Sequence, residues 1–250
     1  MNLESIRRQL GYLLLLVGAL LVIDFAFDYF EPSIKSFKDR YTAAPVVPIP
    51  TPKPAPTPPT PIEVEAAIAA FAIPVGVVDG EWDQRTRQGL CIWRELTGRI
   101  INRDLPTAAE QIEIIESQFI ALDYKFVVGV NVNKACQSAI WVKDATMKNF
   151  EIYPVSTGTE PGGTDVGNWQ VTWKVNRWYE SVQIPDGWMY KPIFFAYKGQ
   201  AFHGSESDSF VHWYPASHGC VRMLTADIES LWDGGFGVGD QVRVYGDWKG

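Results

Sequence analysis

The chain has 250 residues, 46% of them apolar, ten tryptophans and a net charge of −7. That composition builds a folded core and excludes a disordered protein. The acidic balance, without clusters of Lys and Arg, argues against a nucleic-acid partner.

Leu10 to Ile23 is an apolar run behind Arg7-Arg8, and Phe25, Ala26, Phe27, Tyr29 and Phe30 extend it to about 21 residues, enough to span a bilayer. No Ala-x-Ala site follows closely, so we read 10–30 as an uncleaved single-pass anchor in the plasma membrane. The basic pair puts residues 1–9 in the cytoplasm and the rest outside the membrane. A cleaved signal and a buried soluble helix are the alternatives. Residues 31–61 form an extracytoplasmic linker, and more than half of 45–61 is proline, which rules out a helix or a central strand. In polyproline II, at about 3.1 Å per residue, that stretch is a spacer on the order of 50 Å long.

Residues 62–118 read as a small helical domain. Glu63 to Phe71 has helical spacing, Leu90, Trp93 and Leu96 share a stripe, and Thr107-Ala108-Ala109-Glu110 is a capping box ahead of Ile112, Ile114 and Ile115. Val78 to Leu90 with Trp93 resembles the second half of the small helical peptidoglycan-binding module. It departs from that pattern at Asp83, where the module usually has Gly, and at Arg94, where it often has Gln.

From Tyr124 onward the period changes to two, and the domain 119–250 is expected to be mainly β. Strands are predicted over 125–132, 136–142, 150–155, 169–175, 193–197 and 241–245, with one short helix over 224–232 capped by Thr225. The glycine-rich segment 156–168 reads as a loop near one end of the sheet. Three cysteines are too few for a disulfide scaffold. Cys91 and Cys136 read as two separate buried thiols; their pairing, leaving Cys220 free, is the alternative if the domain lies outside the cytoplasm.

All three histidines fall between His203 and Met223, together with Cys220 and Arg222. If Ser217 to Met223 is extended, His218, Cys220 and Arg222 share a face while Val221 and Met223 point into the core. Residues two apart lie about 6.6 Å apart along a strand, too far for an ideal bond from His218 to the thiol. His203, from a neighbouring strand, is the better base. The set suits acyl transfer. Cys220 attacks a carbonyl, His203 takes and returns the proton, and Arg222 or His218 stabilises charge, with the Gly219 and Cys220 N–H groups facing the oxyanion. No metal or cofactor is required. A zinc site from His203, His212, His218 and Cys220 lacks regular spacing, and His212, flanked by Val211 and Trp213, reads as structural.

His203-Gly204 followed by Ser217-His218-Gly219-Cys220-Val221-Arg222-Met223, with Ser156-Thr157-Gly158 upstream, resembles the signature of the L,D-transpeptidase catalytic domain. The resemblance implies a β-sandwich and a thioester between Cys220 and the tetrapeptide stem of peptidoglycan. Terminal D-alanine is then lost, and an amine attacks from a second stem or a lipoprotein. It implies His203 as base, with Gly204, Ser217, His218, Gly219 and Arg222 lining the site. An L,D-carboxypeptidase and a sortase-like acyltransferase are the enzymatic alternatives, though a sortase usually has Thr two residues before its Cys. A wall-binding protein with a degenerate β domain is the non-enzymatic one.

Overall fold

The computed structural model describes residues 57–117, 122, 125–159, 163–182, 184–185 and 187–249. The expected anchor at 10–30 and most of the proline-rich linker lie outside these residues. Among the described residues no helix is long and apolar enough to cross a membrane.

Among the described residues three helices come first: α1 (Pro61–Ala70), α2 (Gln84–Leu96) and α3 (Ala108–Glu116). Asp83 caps α2 by accepting from the Thr86 N–H. The capping box at Thr107 forms as expected, with Glu110 returning to the Thr107 N–H. α2 is the most deeply buried of the three. Leu90, Cys91, Ile92 and Trp93 are fully buried, in one apolar cluster with Ile140 and Val142 of the sheet.

Ten strands follow: β1 (Gly129–Asn133), β2 (Ser138–Val142), β3 (Phe150–Ser156), β4 (Gly167–Gln170), β5 (Trp173–Lys174), β6 (Trp178–Glu180), β7 (Trp188–Phe194), β8 (Ala201–Gly204), β9 (Val221–Met223) and β10 (Gln241–Tyr245). The order is β4-β10-β1-β2-β3-β9-β8-β7-β5, with β6 on β7. β3 joins the halves, because Phe150–Pro154 pair with β2 whereas Val155 and Ser156 pair with β9. The expected two-sheet sandwich is therefore one continuous sheet. It curls, so that Val242 and Val244 of β10 share a core with Ile193 of β7 and with Ile228 and Leu231 of α4 (Thr225–Asp233). Thr225 is not the cap of α4 as expected but its first residue. Asp208, from a 3-10 turn, takes the Thr225 N–H and Oγ1 at 2.8 Å each.

The cysteine reading is corrected: Cys91 and Cys136 form a disulfide, and Cys220 is free. α2 carries Cys91 on its buried face, and the turn after β1 brings Cys136 to a Cα–Cα distance of 5.4 Å, within bridging range. The pairing depends on helix-on-sheet packing, which no local sequence pattern encodes.

Candidate active site

Two short parallel strands build the site. In the β8–β9 pair Phe202 faces Val221 and His203 faces Arg222. Phe202, Val221 and Met223 are fully buried in the core. Alternation along the strands then turns His203 and Arg222 the other way, into a cavity of about 490 Å³. Ser217, His218, Gly219 and Cys220 also line it. Gly204 does not; it lies behind His203, against Ile228 and Tyr190. His212 does not line the cavity either, and stacks on Tyr214 with ring centroids 4.7 Å apart.

Only Val221–Met223 of the expected extended run is strand. Ser217 to Cys220 form a turn, in which Gly219 holds φ at +137°, a conformation other residues rarely adopt. The turn is cross-braced: Ser217 Oγ donates to the Cys220 carbonyl at 2.5 Å and accepts from the Gly219 N–H at 3.1 Å. Ser217 thus occupies the Gly219 N–H, one of the two donors expected to face an oxyanion. The turn also runs against backbone, because a Cβ on Gly158 would come within 2.6 Å of Gly219 Cα. Thr164 Oγ1 joins the two segments, accepting from the Gly158 N–H and donating to the Gly219 carbonyl, each at 2.9 Å.

The electrostatics separate the two histidines. His203 is buried, and its Nδ1 lies 2.7 Å from the Gly204 carbonyl, which assigns the proton to Nδ1 and leaves the Nε2 lone pair free. Burial pulls its pKa down to about 4, opposed by the Gly204 hydrogen bond and assisted by the nearby Arg222 charge. Burial pushes the Cys220 thiol up, while the Ala201 N–H and Arg222 pull the other way. Thiol and imidazole therefore rest neutral at pH 7. His218, by contrast, is exposed at the rim. Arg222 donates to the Ala216 carbonyl at 3.1 Å and lies over the Phe210 ring. Among the described residues no group of three or more His, Cys, Asp or Glu is disposed to hold a metal ion.

Residues 128–244 match the YkuD family, the L,D-transpeptidase catalytic domain. The match begins after α1–α3 and leaves them outside it. Among solved structures, the L,D-transpeptidase of Xylanimonas cellulosilytica is 23% identical, with TM-score 0.50, covering 77% of this chain and 100% of its own. An L,D-transpeptidase of Stackebrandtia nassauensis is also 23% identical, with TM-score 0.48, covering 78% of this chain and 99% of its own. The first shares the fold. No protein of curated function matches the chain.

One cavity wall is aromatic, a feature that no sequence motif marked. Trp173 stacks on Phe194 at 4.0 Å, and Tyr179 meets both edge-on at 5.5 and 5.6 Å. Of the tryptophans around β6 and β7, Trp188 lines the cavity while Trp178 packs on Tyr190. β5 and β6, which carry Trp173 and Tyr179, are two and three residues long, too short for their alternation to be read from sequence. Thr157, Thr164 and Gln137, which support the turn that bears Cys220, carry no periodic signal because they are single polar residues in loops.

Proposed function

We propose that this chain is a membrane-anchored L,D-transpeptidase that joins peptidoglycan stem peptides outside the plasma membrane. One observation carries the reading. The β8–β9 register sets a neutral His203, its Nδ1 committed to Gly204, beside the Cys220–Arg222 segment in an aromatic-walled cavity. The match of residues 128–244 to the catalytic domain supports the same reaction class. The Cys91–Cys136 bridge supports placement outside the cytoplasm, where disulfides persist.

Cys220 gives its proton to His203 Nε2 as the sulfur attacks the carbonyl preceding the terminal D-alanine of a tetrapeptide stem. The Cys220 N–H and Arg222 face the negative charge that develops. Nε2 returns the proton to the departing D-alanine amine, and a thioester remains. An amine of a second stem then attacks the thioester to form a 3→3 cross-link. The sulfur leaves as thiolate and recovers the proton that the amine gives up. Ser217, Gly219 and Gly204 hold this geometry from behind, His218 contacts substrate at the rim, and no metal or cofactor takes part. Arg222 favours the thiolate but disfavours the imidazolium, so its net gift is to the anion and not to the internal proton transfer. α1–α3 serve as a clamp on the sheet, because Leu90 and Trp93 of α2 are buried in one cluster with Ile140 and Val142.

The test is to supply purified protein with tetrapeptide stems and separate the products. Wild type releases D-alanine and forms 3→3 dimers, whereas Cys220→Ala and His203→Ala form none. Dimers from Cys220→Ala would sink the assignment, and tripeptide without dimer would replace it with an L,D-carboxypeptidase.

A further inference from the structure

Gln137 sits in the turn between β1 and β2, fully buried, with φ at +55°. A buried non-glycine residue in the left-handed region is uncommon and persists where surrounding contacts over-determine it. Its contacts do so. Its Nε2 donates to the Lys134 carbonyl at 2.6 Å and to Thr157 Oγ1 at 2.9 Å, and its Oε1 accepts from the Thr157 N–H at 2.8 Å. Its own carbonyl accepts from Gln88 Nε2 of α2 at 2.6 Å and from the Val155 N–H at 2.9 Å.

The chain of bonds continues to the nucleophile. The Thr157 carbonyl accepts from the Ala216 N–H at 2.9 Å and from the Ser217 N–H at 3.1 Å, and the Thr159 N–H donates to the Ser217 carbonyl at 3.0 Å. Ser217 in turn holds Gly219 and Cys220 through its hydroxyl. At the other end the relay is pinned twice. Cys136, the neighbour of Gln137, is bridged to Cys91, which lies three residues beyond Gln88 on α2. Arg85 donates to Gln88 Oε1 at 2.9 Å and, with its other nitrogen, to the Val211 carbonyl of the loop that leads into the turn. Arg103 holds the same loop by donating to the Trp213 carbonyl at 3.1 Å.

We propose that Gln137 is a positioning residue: through Thr157 and Ser217 it fixes the orientation of the Cys220 N–H toward the oxyanion, with α2 as its anchor. The proposal rests on the reading of Cys220 as the acyl-accepting nucleophile. Gln137 touches no substrate. It acts by holding a turn whose own sequence, with Gly219 at its centre, does little to fix its shape.

The experiment compares two reactions at one sulfur in the full chain. Acylation by p-nitrophenyl acetate, followed as the p-nitrophenolate burst, passes through an oxyanion; alkylation by iodoacetamide does not. Gln137→Asn keeps a carboxamide and tolerates positive φ, but is one methylene too short to reach Thr157. Thr157→Val keeps the shape and loses the hydroxyl. Expected is a burst rate reduced about tenfold in Gln137→Asn and about fivefold in Thr157→Val, with alkylation within about twofold of wild type. Unchanged burst rates, or burst and alkylation falling together, overturn the proposal. Loss of folding in both variants also overturns it, since it would assign Gln137 to stability alone. A wild-type protein without a burst, or a burst that survives Cys220→Ala, would instead overturn the nucleophile reading.

Discussion

At the scale of the residue, burial decides the protonation states. His203 is buried with Nδ1 on a carbonyl, so its pKa of about 4 keeps it neutral across the neutral range. Cys220 is raised by the same cause, and Arg222 does not reverse it. A preformed thiolate–imidazolium pair would need the opposite shifts, thiol down and imidazole up. The alkylation rate of Cys220 is therefore expected to climb with pH through and beyond about 8.5, the ordinary thiol value, without an early rise. A plateau reached below pH 7 would show a resting ion pair and contradict this account. The expected preference for His203 over His218 assumed strand spacing at His218 and Cys220, which the turn does not have; what separates the two histidines is burial, His203 being buried and His218 exposed. The fate of the Gly219 N–H is not legible in the sequence, because it depends on the Ser217 rotamer in a turn that strand alternation does not describe.

At the scale of the element, two short parallel strands and one disulfide do most of the positioning. The helices are legible because their signals are local: a capping box at Thr107 and an apolar stripe on α2 act within one or two turns. β8 and β9 are four and three residues long, and such lengths carry little periodic signal. The Cys91–Cys136 bridge closes a separation of 45 residues and ties α2 to the turn that bears Gln137. By the chain-entropy account a loop of that size stabilises by about 4 kcal/mol. Replacing both cysteines by serine is expected to lower the melting temperature by about 10 °C, measured by calorimetry. An unchanged melting temperature would show that helix-on-sheet packing alone holds α2, and would remove the bridge from the account.

At the scale of the molecule, one curled sheet replaces the expected sandwich because β3 pairs with both halves. The periodicity of two reports that strands exist, whereas which strands neighbour each other is set by pairings distant in sequence. Of the residues from His203 to Arg222 that the sequence singles out, His203, Ser217, His218, Gly219, Cys220 and Arg222 meet in the cavity, whereas Gly204 and His212 do not line it. The aromatic wall came from β5, β6 and β7, where no motif marked it. The account's central claim is that Cys220 takes the acyl group of a stem peptide. Its most direct test is the intact mass of the protein after brief exposure to a tetrapeptide stem, followed by peptide mapping. The account predicts an added mass equal to the tetrapeptide stem minus one molecule of D-alanine, which carries away the thiol hydrogen, on the peptide containing Cys220. An adduct elsewhere, or turnover of the stem with no adduct at Cys220 even under rapid quenching, would contradict it.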